Sequence, residues 1–170
     1  VLDVFSYAGG FSVHALSGGA KEVYSLDISA QALKVAQYNA SLNTTQGKLH
    51  TIADDAFKAM EALVSKGKQF DLVVVDPPSF AKKASEVEGA LRSYNRLSRL
   101  AIPLVARGGT LIMASCSSRV SADDFFAGVQ AALQASGRRF KELERSFHDV
   151  DHPIAIPEGA YLKCIYFKLD

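Results

Sequence analysis

The chain opens with Val1-Leu2-Asp3-Val4-Phe5-Ser6-Tyr7-Ala8-Gly9-Gly10-Phe11-Ser12, an apolar run that passes through a glycine-containing turn into a helical pattern. Missing side chains at such a turn let a ligand approach the backbone, and a turn of this kind after a first strand is typical of nucleotide-binding folds. We therefore predict a strand at 1–5, a ligand site around Gly9 and Gly10, and a helix that begins at Ser12.

The rest of the chain alternates short apolar runs with amphipathic stretches, which is βαβα order. Strands are predicted at 23–26, 49–52, 72–75, 110–114, 140–144 and 161–169, and helices at 12–16, 30–43, 56–66, 88–105 and 121–136. The run at 72–75 is apolar on both faces, as in a central parallel strand. We predict one α/β domain with a doubly wound, mostly parallel sheet. Because no helix precedes the last strand, it should be an antiparallel edge strand.

Composition narrows the class of protein. With 170 residues, 48% hydrophobic and 22% charged, the chain can bury a sizeable core, and no run is long enough to cross a membrane. Two cysteines, Cys116 and Cys164, are too few for a disulfide framework or a zinc knuckle, so we expect reduced thiols, no metal and a cytoplasmic location. Because the net charge is only +1, any RNA binding must come from a local basic patch or from a part of the protein outside this chain. Since Val1 begins a strand directly, we expect a fragment of a longer protein.

Carboxylates follow successive predicted strands. Asp27 lies about 20 residues beyond the glycine turn, where a carboxylate can accept both ribose hydroxyls. Asp54 or Asp55, as equal alternatives, could accept the exocyclic amine of adenine. The turn lacks the Gly-x-Gly-x-x-Gly spacing and basic residues that a pyrophosphate requires, so S-adenosylmethionine (SAM) is favoured over NAD. The predicted cofactor-binding set is Asp3, Phe5, Tyr7, Gly9, Gly10, Asp27, Ile28, Asp54, Asp55, Ala56 and Asp76.

The segment Asp76-Pro77-Pro78-Ser79-Phe80 ends the fourth strand. Its two prolines fix the backbone and remove two amide donors, which suits recognition of a base. We predict that Phe80 stacks on a nucleobase and that Asp76 hydrogen-bonds the N3 or N4 edge of a pyrimidine. A plain turn with a buried aromatic ring is the alternative. Enzymes that methylate base amino groups share this pattern without needing a cysteine.

Cys116 follows the next strand and decides between these chemistries. C5 of a pyrimidine is a poor nucleophile until a thiolate adds to C6, so C5 methylation requires a cysteine beside the base. Because Cys116 should emerge at the same sheet edge as Asp76, we predict that it is the nucleophile and that Asp76 assists it. Cys164 lies among alternating apolar residues and is predicted to belong to the core.

Basic residues gather after Phe80. Lys82, Arg92 and Arg96, together with Pro77 and Pro78, are predicted to contact the RNA substrate, the cations through its phosphates. A solvated helix face is an equal alternative for the arginines.

These motifs together resemble the bacterial 23S ribosomal RNA cytosine-C5 methyltransferases of the RlmI type. The resemblance covers Phe5-Ser6-Tyr7 with Gly9-Gly10-Phe11, Asp27, Asp54-Asp55, Asp76-Pro77-Pro78 with Phe80, Ser115-Cys116-Ser117, Asp151-His152-Pro153, and Pro157-Glu158-Gly159 with Tyr161-Leu162-Lys163. It implies a Rossmann-like class I methyltransferase that uses SAM, acts on 23S ribosomal RNA and attacks through Cys116. Members of this family also carry an N-terminal RNA-binding PUA domain. We expect this chain to be a catalytic domain, residues 1–170, that lacks it.

Alternatives stay open at this point. A uracil-C5 methyltransferase would use the same thiolate, an adenine-N6 or guanine-N2 methyltransferase would use none, and a SAM-binding module without catalysis would keep only the cofactor residues. His152 and Glu158 are both candidates for the base that removes the C5 proton. A homodimer is compatible with the sequence.

Overall fold

The computed structural model describes residues 1–156 and 159–170. Pro157 and Glu158, part of the turn predicted at 157–159, lie outside the described residues. The strands are β1 Leu2–Val4, β2 Glu22–Asp27, β3 Lys48–Ala53, β4 Phe70–Val75, β5 Val105–Ser115, β6 Phe140–Ser146 and β7 Lys163–Leu169. The helices are α1 Gly10–Ser17, α2 Ala30–Ser41, α3 Ala56–Ser65, α4 Val87–Leu104 and α5 Ala122–Ala135, with a 3-10 turn at Ala84–Glu86 before α4.

The described residues form one seven-stranded sheet with the order β3-β2-β1-β4-β5-β7-β6. The first five strands in that order are parallel, and β7 is antiparallel to both of its neighbours. The α/β class, the doubly wound sheet and the antiparallel direction of the last strand are confirmed. The position of β7 differs from the expectation in one detail, because β6 is the outermost strand.

The composition of the two strands explains their order. On β7 every second side chain is buried, including Ile165, Phe167 and Leu169, whereas no residue of β6 is fully buried. A strand with one fully buried face is stabilised by neighbours on both sides, and a charged, exposed strand is suited to an edge. Cys164 lies on the other, half-covered face of β7 and outside the core cluster, so the prediction that it is a core residue was wrong.

Local sequence sets where the helices begin. Ser29, Asp55 and Ser121 are N-caps of α2, α3 and α5, and their side-chain oxygens accept hydrogen bonds from the amides of Ala32 (3.1 Å), Lys58 (3.0 Å) and Asp124 (3.0 Å). The core beneath the helices is formed by the central strands. None of the helices in the described part of the chain is long and apolar enough to cross a membrane.

The register of the sheet determines where the site lies. Val4 is paired with Leu26 on one side and with Val75 on the other, and Val75 is paired with Met113. Strands β1, β2, β4 and β5 therefore end nearly level. The residues that follow their carboxyl ends are brought together although they are up to about a hundred positions apart in the chain.

Candidate active site

A cavity of about 540 Å³ opens at the carboxyl ends of these strands. It is lined by Phe5, Tyr7, Asp27, Ile28, Asp55, Ala56, Asp76, Pro77, Pro78, Cys116 and Leu162. All of these except Leu162 belong to the set predicted from the sequence. The structure thus brings together most of the residues predicted for the cofactor, the Asp76-Pro77-Pro78 part of the segment predicted to recognise a pyrimidine, and the thiol. Asp3, Gly9, Gly10, Asp54 and Phe80 do not line this cavity.

A larger cavity, about 900 Å³, lies at the opposite end of the sheet, beside Val1, Glu22, Phe70 and Asp71. It contains none of the residues predicted for the site. Ligands of doubly wound sheets bind at the carboxyl ends of the strands, so the smaller cavity is the candidate active site.

Asp27 is fixed at the end of β2 by two backbone amides. Its Oδ2 accepts a hydrogen bond from the Tyr7 amide at 2.9 Å, and its Oδ1 accepts one from the Ser29 amide at 2.8 Å. Each carboxylate oxygen keeps a lone pair free. The side chain is therefore oriented before any ligand arrives and can still accept two hydroxyl hydrogen bonds.

The loop after β1 has an unusual backbone. Phe5 and Tyr7 have positive φ angles of 65° and 47°, and the amides of Phe5 and Ser6 both donate to the Leu26 carbonyl at 2.9 and 3.0 Å. Non-glycine residues rarely adopt this conformation, and such strain concentrates at binding sites. Both side chains line the cavity, and the Tyr7 side chain is exposed.

Asp3 lies behind this loop, fully buried. Its Oδ2 accepts hydrogen bonds from the Ser12 amide (3.0 Å) and the Ser12 hydroxyl (2.6 Å), while its buried Oδ1 has no partner among the described residues. Burial is the main cause that raises the pKa of this carboxyl to about 6. A buried acceptor without a donor is costly unless a ligand completes it.

The two glycines of the turn, Gly9 and Gly10, do not line the cavity, and their predicted role in cofactor binding stays a prediction. Gly9 has φ 79°, and a Cβ at this position would lie 2.7 Å from the Cβ of Ala36 on α2. The residue is small because helix α2 packs against it. A Cβ on Gly10 would meet nothing within 4 Å. Helix α1 begins at Gly10, two residues before its predicted start at Ser12.

Of the alternatives Asp54 and Asp55, Asp55 lines the cavity. Asp54 accepts a hydrogen bond from the Asp55 amide at 2.9 Å and pairs with Lys58 at 3.3 Å, so its carboxylate is used locally. The geometry favours Asp55 as the residue that faces a ligand.

Cys116 and Asp76 share the cavity wall. The Cys116 thiol contacts the Pro77 carbonyl oxygen at 3.8 Å. Burial and, after it, the negative charge of Asp76 raise the pKa of the thiol, and burial also raises the pKa of the Asp76 carboxyl. In this environment Cys116 is a protonated thiol that requires added positive charge or a proton acceptor before it can attack.

The two serines beside Cys116 hold it in place. Ser115 donates a hydrogen bond to the Tyr94 hydroxyl at 2.8 Å, and Ser117 donates one to the Ala81 carbonyl at 3.1 Å. All four of these residues are buried. The Ser-Cys-Ser sequence therefore fixes the loop at both sides of the cysteine and leaves its thiol facing the cavity.

Phe80 does not reach the cavity. Its ring packs edge-to-face on Tyr94, with centroids 5.1 Å apart, and lies against the core. The ring thus has a buried aromatic partner, as in the alternative of a turn with an aromatic ring packed on the core, although Phe80 itself is only partly buried. Stacking of Phe80 on a base stays a prediction.

The predicted RNA-binding cations lie outside the cavity. Arg92 pairs with Glu88 on the same helix, and Arg96 donates to Glu61 at 2.8 Å and lies over the Phe57 ring. Both arginines are exposed, as is Lys82. The structure thus shows a solvated helix face with ion pairs, and leaves phosphate contacts as a prediction.

Sequence reasoning assigned no role to Lys163 and Leu162. Leu162 completes the cavity wall, and its amide donates to His148 Nε2 at 3.0 Å. Lys163 is 2% exposed and lies on β7 opposite Ser115, the residue before Cys116. Lys163 and Ser115 are 48 positions apart in the chain and become neighbours only because β5 pairs with β7. The one sequence signal for this segment was the Tyr161-Leu162-Lys163 motif of the family resemblance.

His152 stacks on His148, with ring centroids 4.4 Å apart, and neither lines the cavity. Glu158, the other candidate base, lies outside the described residues. Within the described ranges, no group of three or more His, Cys, Asp or Glu side chains is placed to hold a metal ion.

Comparison with known proteins identifies the class first. Residues 1–168 match the family model of S-adenosylmethionine-dependent methyltransferases, and the chain belongs to that family. The solved structure of SMU.776, a methyltransferase in complex with SAH, superimposes with a TM-score of 0.85 at 21% identity, covering 98% of this chain and 44% of that one. The class I methyltransferase fold is thereby confirmed.

Within that family the resemblance is to the RlmI type, as the sequence motifs indicate. A ribosomal RNA large subunit methyltransferase from Deinococcus radiodurans is 44% identical over 171 residues, which is 100% of this chain and 42% of the relative. Ribosomal RNA large subunit methyltransferase I from Cronobacter sakazakii is 41% identical over 166 residues, covering 96% and 42% respectively. The chain thus spans less than half the length of these relatives.

The residues of the cavity fit SAM as the cofactor of the family. Asp27 presents free lone pairs to a ribose, and Ile28, 76% exposed, gives an adenine ring an apolar surface next to Asp55. Asp3 does not line the cavity, but its partnerless Oδ1 adds negative charge behind the loop, which suits a cofactor with a cationic amino group. These are the polar and apolar partners that an adenosine joined to an amino acid requires.

Proposed function

We propose that this chain is the catalytic domain of a SAM-dependent ribosomal RNA methyltransferase that forms 5-methylcytosine in 23S ribosomal RNA through a bond between Cys116 and C6. One observation carries the proposal: Cys116 and Asp76 line the same cavity as Asp27 and Asp55. A thiol beside the adenosine-binding residues is what C5 methylation needs and what amino-group methylation does not.

The proposed cofactor site uses residues at three strand ends. Asp27 accepts the ribose hydroxyls, Ile28 covers the adenine and Asp55 accepts its amine. Asp3, buried behind the loop and outside the cavity lining, contributes negative charge near the amino group of the cofactor. SAM, when bound, would supply the electrophilic methyl group from its positively charged sulfur, and breaking of that sulfur–methyl bond would leave the neutral thioether S-adenosylhomocysteine (SAH).

The chemistry proposed for the chain begins with an unpaired or flipped cytosine, since C6 is inaccessible within a stacked helix. The Cys116 thiol loses its proton to water, and the thiolate donates an electron pair to C6, so that the ring electrons move to C5 and the N3 edge. C5 then takes the methyl group. Loss of the C5 proton to a base restores the ring double bond and expels the Cys116 thiolate, so Cys116 is regenerated.

Asp76 supports this step because its carboxyl lies on the same wall and has a raised pKa. A carboxyl that holds a proton more readily can donate a hydrogen bond to N3 while the ring accepts negative charge. Pro77 and Pro78 form the rigid surface next to it.

The substrate assignment rests on the relatives, which are named ribosomal RNA large subunit methyltransferases. Cytosine in preference to uracil rests on the resemblance to the RlmI type. Phosphate contacts by Arg92 and Arg96 would require their pairs with Glu88 and Glu61 to open. A cytoplasmic location, where ribosomes are modified, belongs to the same proposal.

The test is a covalent trapping experiment. The chain is incubated with SAM and 23S ribosomal RNA transcribed with 5-fluorocytidine, whose fluorine blocks the final loss of the C5 substituent. Denaturing gels then report a protein–RNA adduct. We expect an adduct for the wild type and for Cys164→Ala, the control for loss of a thiol, and none for Cys116→Ala.

The other results separate the alternatives. An adduct with 5-fluorouridine RNA and none with 5-fluorocytidine RNA would replace cytosine by uracil. Methyl transfer that survives Cys116→Ala would show amino-group methylation. SAH binding by calorimetry without methyl transfer to any RNA would refute catalysis by this chain.

A further inference from the structure

Lys163 is a buried cation beside the proposed nucleophile. Its ammonium group donates hydrogen bonds to the carbonyl oxygens of Ser117, Val120 (2.6 Å) and Tyr161 (3.2 Å). Within the described parts of the chain, no carboxylate lies within ion-pair distance of its Nζ. Burying a charge in this way is costly unless the protein uses it.

The geometry of the three hydrogen bonds indicates that the group is charged. A protonated lysine has three donors and no acceptor, and Nζ faces three carbonyl oxygens. A neutral amine would turn its lone pair toward one of these oxygens. The site therefore holds an ammonium ion although burial lowers its pKa.

The carbonyls that Lys163 binds belong to the segment that carries Cys116. Ser117 directly follows the cysteine, and Val120 ends the same loop before α5. On β7, Lys163 is paired with Ser115, so its side chain and that of Ser115 lie on the same face. The ammonium group thus anchors the loop from behind while the thiol faces the cavity.

We propose, as an extension of the function proposed above, that Lys163 is a positioning residue that fixes the Cys116 loop and stabilises the thiolate through the field of its buried ammonium group. At the Cys116 thiol, the positive charge of Lys163 offsets the negative charge of Asp76. Burial and Asp76 raise the pKa of Cys116, whereas Lys163 lowers it, and Cys116 in turn raises the pKa of Lys163. The effect is stronger than at a surface, because the effective dielectric constant is low.

The test measures the thiol itself and needs no RNA. Alkylation of Cys116 by iodoacetamide is followed by intact mass from pH 6 to 10 in the 170-residue chain, with Cys164→Ala as the parent. Lys163→Met removes the charge, Lys163→Gln keeps hydrogen-bond donors without charge, and Lys163→Arg keeps the charge. The charged and titratable groups that surround the thiol are otherwise unchanged in these variants; they are Asp76, Asp27, Asp55 and Tyr94.

We expect the Met and Gln variants to alkylate about tenfold more slowly at pH 8, as for a thiol pKa raised by about one unit, and the Arg variant to recover most of the rate. A purely structural role predicts the opposite sign. A loosened loop would expose the thiol, bring its pKa down toward the ordinary value and speed alkylation. Equal or faster alkylation in Lys163→Met and Lys163→Gln would overturn the proposal.

A second measurement covers variants that fail to fold. Lysine-selective NMR titration of Lys163 in the wild type and in Cys116→Ser is expected to give a lower Lys163 pKa in the mutant, because the coupling is reciprocal. An unchanged Lys163 pKa would also overturn the proposal. Neither the alkylation nor the NMR measurement depends on methyl transfer, so they can fail or succeed independently of the trapping experiment, which tests the proposed function.

Discussion

Replacing Gly9 by alanine tests why a glycine stands at the turn after β1. In the structure the answer is helix packing, because a Cβ at Gly9 would lie 2.7 Å from the Cβ of Ala36 and 3.2 Å from its Cα. Real Cβ atoms almost never come within 3.0 Å of another heavy atom, so α1 or α2 must shift to relieve the 2.7 Å contact.

Two costs add at this position. Overpacking of a tight contact costs about 1–3 kcal/mol. Holding alanine at φ 79° costs roughly a further 1 kcal/mol. We expect Gly9→Ala to lower the free energy of unfolding by about 3 kcal/mol, which for a chain of this size lowers the melting temperature by roughly 6–12 °C.

Gly10→Ala is the matched control, one residue further along. Its Cβ meets nothing within 4 Å, and the residue is the first of α1. Alanine there should leave stability unchanged or raise it by up to about 1 kcal/mol. Urea denaturation followed by circular dichroism compares both variants with the wild type. If Gly9→Ala is as stable as the wild type, or if Gly10→Ala is the more damaging change, the packing explanation is refuted.

Two further predictions concern the carboxylates. Asp27→Asn should weaken SAH binding roughly tenfold to hundredfold in calorimetry, because one charge-assisted acceptor is lost. The control is Asp54→Asn, which should bind SAH normally because Asp54 lies outside the cavity lining. Equal weakening in both variants would contradict the assignment of Asp27 to the ribose. The buried Asp3 has a pKa raised to about 6 from an ordinary 3.8, so between pH 4 and 6 the folded state binds more protons than the unfolded state and stability falls as pH rises. Relative to Asp3→Asn, the wild type should lose up to about 3 kcal/mol over that range in urea unfolding, and parallel stability curves would refute the shift.

Much of the cavity could be predicted from the sequence for a simple physical reason. Parallel strands that pair in register end at one edge, so Asp27, Asp55, Asp76 and Cys116 had to meet once their strands were recognised. Apolar runs and the glycines at helix ends are local features, and they were sufficient to place the strands within a few residues. The proposal of a reactive thiol beside an adenosine site followed from residue types alone.

Other features depend on contacts that no local pattern records. Phe80 turns toward Tyr94 instead of the cavity because a buried aromatic partner is available there, and Gly9 is small because α2 passes over it. The choice of Asp55 over Asp54 rests on which residue lines the cavity, because Lys58 contacts both carboxylates, Asp54 through its ammonium group and Asp55 through its amide.

The sequence by itself determined the alternation of strands and helices and the class of cofactor, and it singled out Cys116 as the proposed nucleophile, since each of these follows from short-range patterns and from residue chemistry. Only the tertiary structure decided that β7 lies between β5 and β6 and thereby places Lys163 behind Cys116. Strand order depends on which faces are buried across the whole sheet, and the electrostatic environment of the thiol is a consequence of that order.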